Sequence, residues 1–221
     1  MIASMAAVGL VGFGSSSSST GVEIPDEGEL PSATPFVETY DSAAQTIDGT
    51  QPHVATIETN KGTIEVELVT DAPLAVNSFA FLAGKGFYNG TTFFYVDHDY
   101  FAQAGDPTCN MAEDAVCSGI GGPGYTLPVE ESSETHDQWA VVAPAVGAGE
   151  EAAVHGSQFR ILYQADERLN GSETVFGKVV SGQEILESEP SFVPCSVVDD
   201  TGCTEDMSGA LVIESVTVRP A

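Results

Sequence analysis

Asn89-Gly90-Thr91-Thr92-Phe93-Phe94-Tyr95-Val96, followed after a short link by Gln103-Ala104-Gly105-Asp106-Pro107, is the stretch that decides how this chain folds. Residues 91–96 and 101–104 read as two short strands. Asp106 and Thr108 are placed to fix the loop that follows. Outward from this pair the same grammar repeats. Residues 54–59 and 63–68 are strand-like, and the second run alternates apolar and polar as a half-buried strand does. Asn60-Lys61-Gly62 between them supplies turn chemistry, so the two runs predict a hairpin. Asp71-Ala72-Pro73 opens a helix, with proline at an early position where its missing N–H costs nothing. Leu74, Phe79, Phe81 and Leu82 are its expected buried side, and Gly84 and Gly86 end it. Residues 139–144, 158–164 and 174–179 predict further strands, 182–187 a short helix, and 211–218 a last alternating strand. Many short strands with two brief helices predict a mainly β fold, a barrel closed so that no edge is left exposed.

Composition sets the surroundings. Of 221 residues 42% are hydrophobic, enough for one packed core. Acidic residues number 33 against 6 basic ones, a formal net charge of −27. Such a surface repels phosphate backbones and excludes nucleic acid as a partner. The charge reads as solubility, as in a saline habitat, with an acidic partner-binding surface as the alternative. Residues 15–50 are rich in Ser, Thr, Pro, Gly, Asp and Glu and carry no basic side chain, and they read as a disordered linker. Residues 1–14 form an apolar, small-residue segment that is too short to span a bilayer and is similar to the apolar part of a secretory signal. Leu10-Val11-Gly12-Phe13 resembles a lipoprotein box with Phe13 where a cysteine would carry the lipid. The folded domain is expected over 51–221.

Four cysteines fall into two pairs, Cys109 with Cys117 and Cys195 with Cys203, each within a polar loop. Four cysteines allow three connectivities, of which local pairing is the simplest. A zinc site is the weaker reading, because neither pair has Cys-x-x-Cys spacing or a histidine at ligand spacing. Two loop disulfides imply an oxidising, extracytoplasmic location: secreted, periplasmic or cell-surface.

The opening stretch resembles the active-site strand of the cyclophilin-type peptidyl-prolyl cis-trans isomerases, whose pattern runs Gly-Thr-Thr-Phe-His-Arg-Val and then Gln-Gly-Gly-Asp-Pro. Further motifs resemble the family in the right order over about residues 53–219. They are Asn77-Ser78-Phe79, Lys85-Gly86-Phe87-Tyr88, Gly121-Gly122-Pro123-Gly124-Tyr125, Gly156-Ser157-Gln158-Phe159, Asn170-Gly171, and Val175-Phe176-Gly177-Lys178-Val179. The resemblance implies a closed, eight-stranded antiparallel barrel capped by two short helices. It also implies a divergent member with most catalytic positions replaced. Gln103 and Gln158 match polar groove residues, and Leu169 matches an apolar pocket residue. Tyr95 stands in place of the catalytic arginine, Tyr100 of a pocket phenylalanine and Phe101 of the pocket methionine. Arg160 replaces the phenylalanine of the pocket floor, Arg168 a tryptophan or another groove-edge residue, and Glu173 the histidine beside the pocket.

Two functions follow as expectations. The first is a prolyl isomerase acting on proline-containing peptides or unfolded secreted proteins, weakened by the replacements. The second is a catalytically silent module that binds a peptide or partner. Neither needs a cofactor, since the barrier is conformational. No metal site, no membrane span and a monomer are expected. Arg160 either rebuilds an electrophilic site, binds an acidic peptide, or only pairs with Glu173 or Glu167. His98 lies in a loop near the groove, and His53, His136 and His155 lack partners at metal spacing. Trp139 is expected to pack.

Overall fold

The computed structural model describes residues 38–112, 117–147, 153–192 and 209–221. Ten strands and two helices follow in the order β1 (His53–Thr59), β2 (Gly62–Leu68), α1 (Pro73–Gly84), β3 (Tyr95–Val96), β4 (Phe101–Ala104), β5 (Thr126–Pro128), β6 (Ala140–Ala143), β7 (Ala153–His155), β8 (Phe159–Leu162), β9 (Thr174–Ser181), α2 (Gln183–Ser188) and β10 (Ile213–Pro220). A one-turn 3₁₀ helix, Glu167–Leu169, precedes β9. Eight strands form one curled antiparallel sheet in the order β10-β1-β2-β9-β6-β8-β4-β3.

The expected mainly β architecture with two helices is therefore present, but closure is not a continuous ladder. Its two edges, β10 and β3, are stitched by the segment just before β3. Gly90 N–H donates to Ile213 O, Ile213 N–H to Thr91 O, and Phe93 N–H to Leu211 O. The expected strand 91–96 thus serves as a seam, of which only 95–96 belong to the ladder. A separate two-stranded sheet, β5 with β7, lies outside the strands expected from the sequence.

Inside the sheet the core is aromatic. Phe159 meets Phe79, Tyr88 and Phe93 edge-on at ring separations of 5.7, 6.0 and 5.9 Å. Helix α1 brings Phe79, Phe81 and Leu82 to this core, whereas Leu74, expected among them, is 48% exposed. Leu74 sits in the first turn, where its N–H and that of Ala75 donate to the carboxylate of Glu130 at 3.0 and 2.8 Å. That distant acid caps a helix whose own Ala72 has no capping side chain, and its charge suits the N-terminal dipole.

The linker reading needs correction over 38–50. This part packs on the domain: Tyr40 N–H donates to Pro123 O at 2.7 Å, and its ring meets Phe81 at 5.0 Å. Asn77 anchors it further, accepting from Thr46 N–H at 2.8 Å and donating to Ala44 O at 3.1 Å. The signal-like segment and the linker up to residue 37 lie outside the described residues, as do Cys195 and Cys203.

Candidate active site

Strand register assembles the site. Tyr95 on β3 lies opposite Gln103 on β4, Gln103 opposite Arg160 on β8, and Arg160 opposite Val142 on β6. Because side chains alternate along a strand, these residues form one row on the face turned away from the core. Beside the row, Phe101, Leu162, Val142 and Val175 make a second apolar cluster, with Tyr95, Tyr100 and Leu169 at its margin. Tyr95 stacks on Phe101 at 4.9 Å, and Tyr100 tilts against it at 4.5 Å.

Arg160 lies over this cluster, its guanidinium carbon 4.4 Å from the Phe101 ring centroid, a cation–π contact. Nη1 donates to Glu173 Oε1 at 2.8 Å, and Nε donates to Gln103 Oε1 at 2.9 Å. Gln103 Nε2 then donates to Gln158 Oε1 at 2.6 Å. Gln158 Nε2 in turn donates to the carbonyls of Gly119 and Gly121 at 3.1 and 2.8 Å. The string has only one sense. Arginine has no acceptor, so each amide must turn its oxygen towards Arg160 and its nitrogen towards the loop. Glu173 is 6% exposed and also accepts from Ala145 N–H at 3.3 Å.

The loop that ends this string is fixed by Asp106, as its position in the sequence suggested. Asp106 Oδ1 accepts from Thr108 N–H and Oγ1 at 2.8 and 2.7 Å, and Oδ2 accepts from Gly121 N–H at 2.8 Å. Any side chain at Gly121 would start 2.2 Å from Asp106 Oδ1, so glycine is required there. Gly105, at φ +90°, similarly passes against Ser157 O. Cys109 and Cys117 are joined by a disulfide across the same loop.

Burial sets the protonation of the two tyrosines. It pushes the Tyr95 hydroxyl above its ordinary value, Asp97 adds to this, and Arg160 opposes it, so Tyr95 is a neutral phenol. Tyr100 is raised first by burial and then by Asp166.

Arg168 pairs with Asp166 and takes no part in the Arg160–Gln103–Gln158 string. Its side chain is 83% exposed, and it grips Asp166 through Nε and Nη2 at 2.7 and 2.8 Å. That double contact holds the Asp166 carboxyl well below the usual carboxylate range. Glu167, the other partner considered for Arg160, is not its partner; Glu173 is. His98 bonds the Glu189 carbonyl and rests on Tyr163, and Trp139 packs edge-on against Tyr163. His155 ends β7. The carbonyls of Gly119 and Gly121 and the amide of Ala145 complete the site, and sequence reading did not find them.

The family profile described as cyclophilin type peptidyl-prolyl cis-trans isomerase/CLD matches residues 54–217. The chain belongs to the cyclophilin family. It is 39% identical over 126 residues to peptidyl-prolyl cis-trans isomerase B of Bacillus subtilis, covering 57% of this chain and 81% of that one. Against a Helicobacter pylori peptidyl-prolyl cis-trans isomerase the identity is 38% over 130 residues, covering 58% and 74%. The crystal structure of a Cryptosporidium parvum cyclophilin, determined in the presence of the dipeptide Ala-Pro, superposes with a TM-score of 0.57 at 25% identity, over 76% of this chain and 99% of that one. Among the described residues of this cyclophilin no helix is long and apolar enough to cross a membrane.

Proposed function

We propose that the groove over Phe101 binds a proline-containing peptide and isomerises its prolyl bond slowly, in an extracytoplasmic compartment. Amide resonance sets a barrier of about 18–20 kcal/mol, and catalysis requires only that the twisted amide be bound better than the planar one. The observation that carries the reading is Arg160, laid on the Phe101 ring and held there by Glu173. It places a cation where the resemblance assigns an apolar floor for the proline ring. Two of its donors are committed to Gln103 and Glu173, and the N–H groups of Nη2 have no partner among the described residues. These are the donors left to point at a prolyl nitrogen. Tyr95 offers only a neutral hydroxyl, weaker than a charged donor. Gln103, with both ends of its amide engaged, holds a peptide only by exchanging an internal bond.

Charge-directed contacts of this kind are worth about 3–4 kcal/mol in a transition state. Turnover is therefore expected to be at least about a hundredfold below that of a cyclophilin with an intact set. Exchange NMR of a short Ala-Pro peptide measures it, with wild type beside Arg160→Ala. Slow catalysed exchange that disappears in the variant supports the reading, and a near-normal wild-type rate overturns it. Tyr95→Arg, Arg160→Phe and Glu173→His together are expected to raise the rate. The second reading, binding without turnover, is favoured by the way the Arg160–Glu173 pair covers the apolar cluster. Peptide-induced shifts without catalysed exchange would establish it. The Cys109–Cys117 disulfide supports the compartment. The clients are taken to be secreted proteins passing through unfolded states, bound by a monomer.

A further inference from the structure

Glu173 faces two ways. Its Oε1 lies in the groove with Arg160, yet the residue also lines a second cavity of about 240 Å³, bounded by Glu131, Glu134, His136, Asn170 and Val175. Two buried atoms of that lining, Glu173 Oε2 and His136 Nε2, have no hydrogen-bond partner among the described residues. Both side chains are more than nine-tenths buried. His136 Nδ1 faces Asn170 Oδ1 at 2.7 Å. An amide oxygen only accepts, so the proton sits on Nδ1, and Nε2 of the neutral ring is an acceptor. Both orphaned atoms are thus acceptors, and burying an acceptor without a donor is unfavourable.

The rest of the lining points the same way. Glu131 and Glu134 are exposed carboxylates, and no lysine or arginine lines the cavity. A group that satisfied both atoms beside these carboxylates would carry positive charge and several N–H donors. Among the described residues no three His, Cys, Asp or Glu side chains converge as a metal site. We propose that the cavity takes the ammonium or guanidinium group of a lysine or arginine side chain, carried by the peptide whose proline occupies the groove. This rests on the peptide-binding reading above. Glu173 becomes a shared wall, with Arg160 on one oxygen and the ligand cation on the other. The net charge of −27 raises the local concentration of such peptides.

The test uses the full chain and capped Ala-Ala-Pro-Ala-Ala peptides in which each alanine in turn becomes lysine or its uncharged isostere norleucine. Affinities are read by NMR titration, with the His136 ring nitrogens followed. At one position lysine is expected to bind about tenfold tighter than norleucine, the scale of a hydrogen-bonded charge. Lysine alone should shift His136 Nε2. The lysine-to-norleucine ratio should fall towards one in Glu131→Gln/Glu134→Gln and persist in Glu187→Gln/Glu214→Gln, which removes the same charge from α2 and β10. A ratio near one at every position, with norleucine peptides still bound, overturns the cavity and leaves the groove reading intact. Equal loss in both double variants also overturns it, as does a His136 shift produced by calcium and not by lysine. If no peptide binds, the groove reading fails on its own. Nα-acetylarginine methylamide alone then decides the cavity: a His136 shift upholds a cation site, and no shift overturns it.

Discussion

Strands β4 and β8 have two faces that are held in different ways. The inner face, Ala102, Ala104, Phe159 and Ile161, is fully buried and packed by shape. The outer face, Gln103 and Arg160 beside Phe101 and Leu162, is held by a directed string of hydrogen bonds ending on Glu173. Shape packing fixes the curl of the sheet and tolerates little change. The outer string can be rewritten without disturbing the curl, provided each donor keeps an acceptor. The fold is therefore plainly that of a cyclophilin, while the outer face carries its own chemistry.

The sharpest way to break this comparison is to truncate each face. Phe159→Ala is expected to lower stability by about 3–5 kcal/mol, the usual result of emptying an aromatic core site. Urea unfolding measures it, and an equal or larger loss from Arg160→Ala would show that the outer string, and not the core, carries the sheet. The next effect concerns the ion pair. Glu173→Leu leaves Arg160 uncompensated and is expected to cost about 2 kcal/mol, a buried-pair penalty reduced because the arginine side chain is 21% exposed. Arg160→Met/Glu173→Leu should unfold at higher urea than Glu173→Leu alone; a double variant less stable than the single would mean that Arg160 stabilises through Gln103 and Phe101 even without its partner.

A smaller loss, about 1–3 kcal/mol, is expected from Gly121→Ala, whose methyl collides with Asp106. It should be accompanied by disorder of the Gln158 amide signals, because the Gly121 carbonyl moves with the loop. The smallest effect is a pH dependence. Burial lowers the His155 pKa, with Arg160 adding repulsion. The native state thus prefers the neutral ring, and its contribution is whole above about pH 6.5 and lost as pH falls through the lower folded value. The urea midpoint should drop between about pH 7 and 5.5, and His155→Gln should flatten part of that drop.

How much of this was legible depended on the kind of signal. The β1–β2 hairpin and α1 announced themselves through alternation, turn residues and an early proline. The seam at 90–93 did not, because its residues look like any strand and only their partners at 211–213 reveal their role. Strands β5 and β7 are three residues each, too short for alternation to register. Family spacing placed both Arg160 and Arg168 at the groove. The structure gives them different partners: Arg160 takes Glu173, while Asp166, two residues earlier, offers Arg168 both carboxylate oxygens. Glu173 was foreseen as a partner of Arg160, since the two charges map to neighbouring positions. The acceptors that orient Gln158 are main-chain carbonyls, which leave no mark in a sequence.

The Cys109–Cys117 bond has a consequence for motion. Cys109 O accepts from Thr92 N–H and Oγ1 at the seam, while the chain beyond Cys117 leads to the carbonyls that orient Gln158. Oxidised, the cross-link makes the groove rim and the seam one mechanical body, so the rim amides should exchange with deuterium only when the barrel itself opens. Reduced, the rim is free to breathe on its own clock, and the thiol state of one loop becomes a speed setting for the surface proposed to meet a peptide.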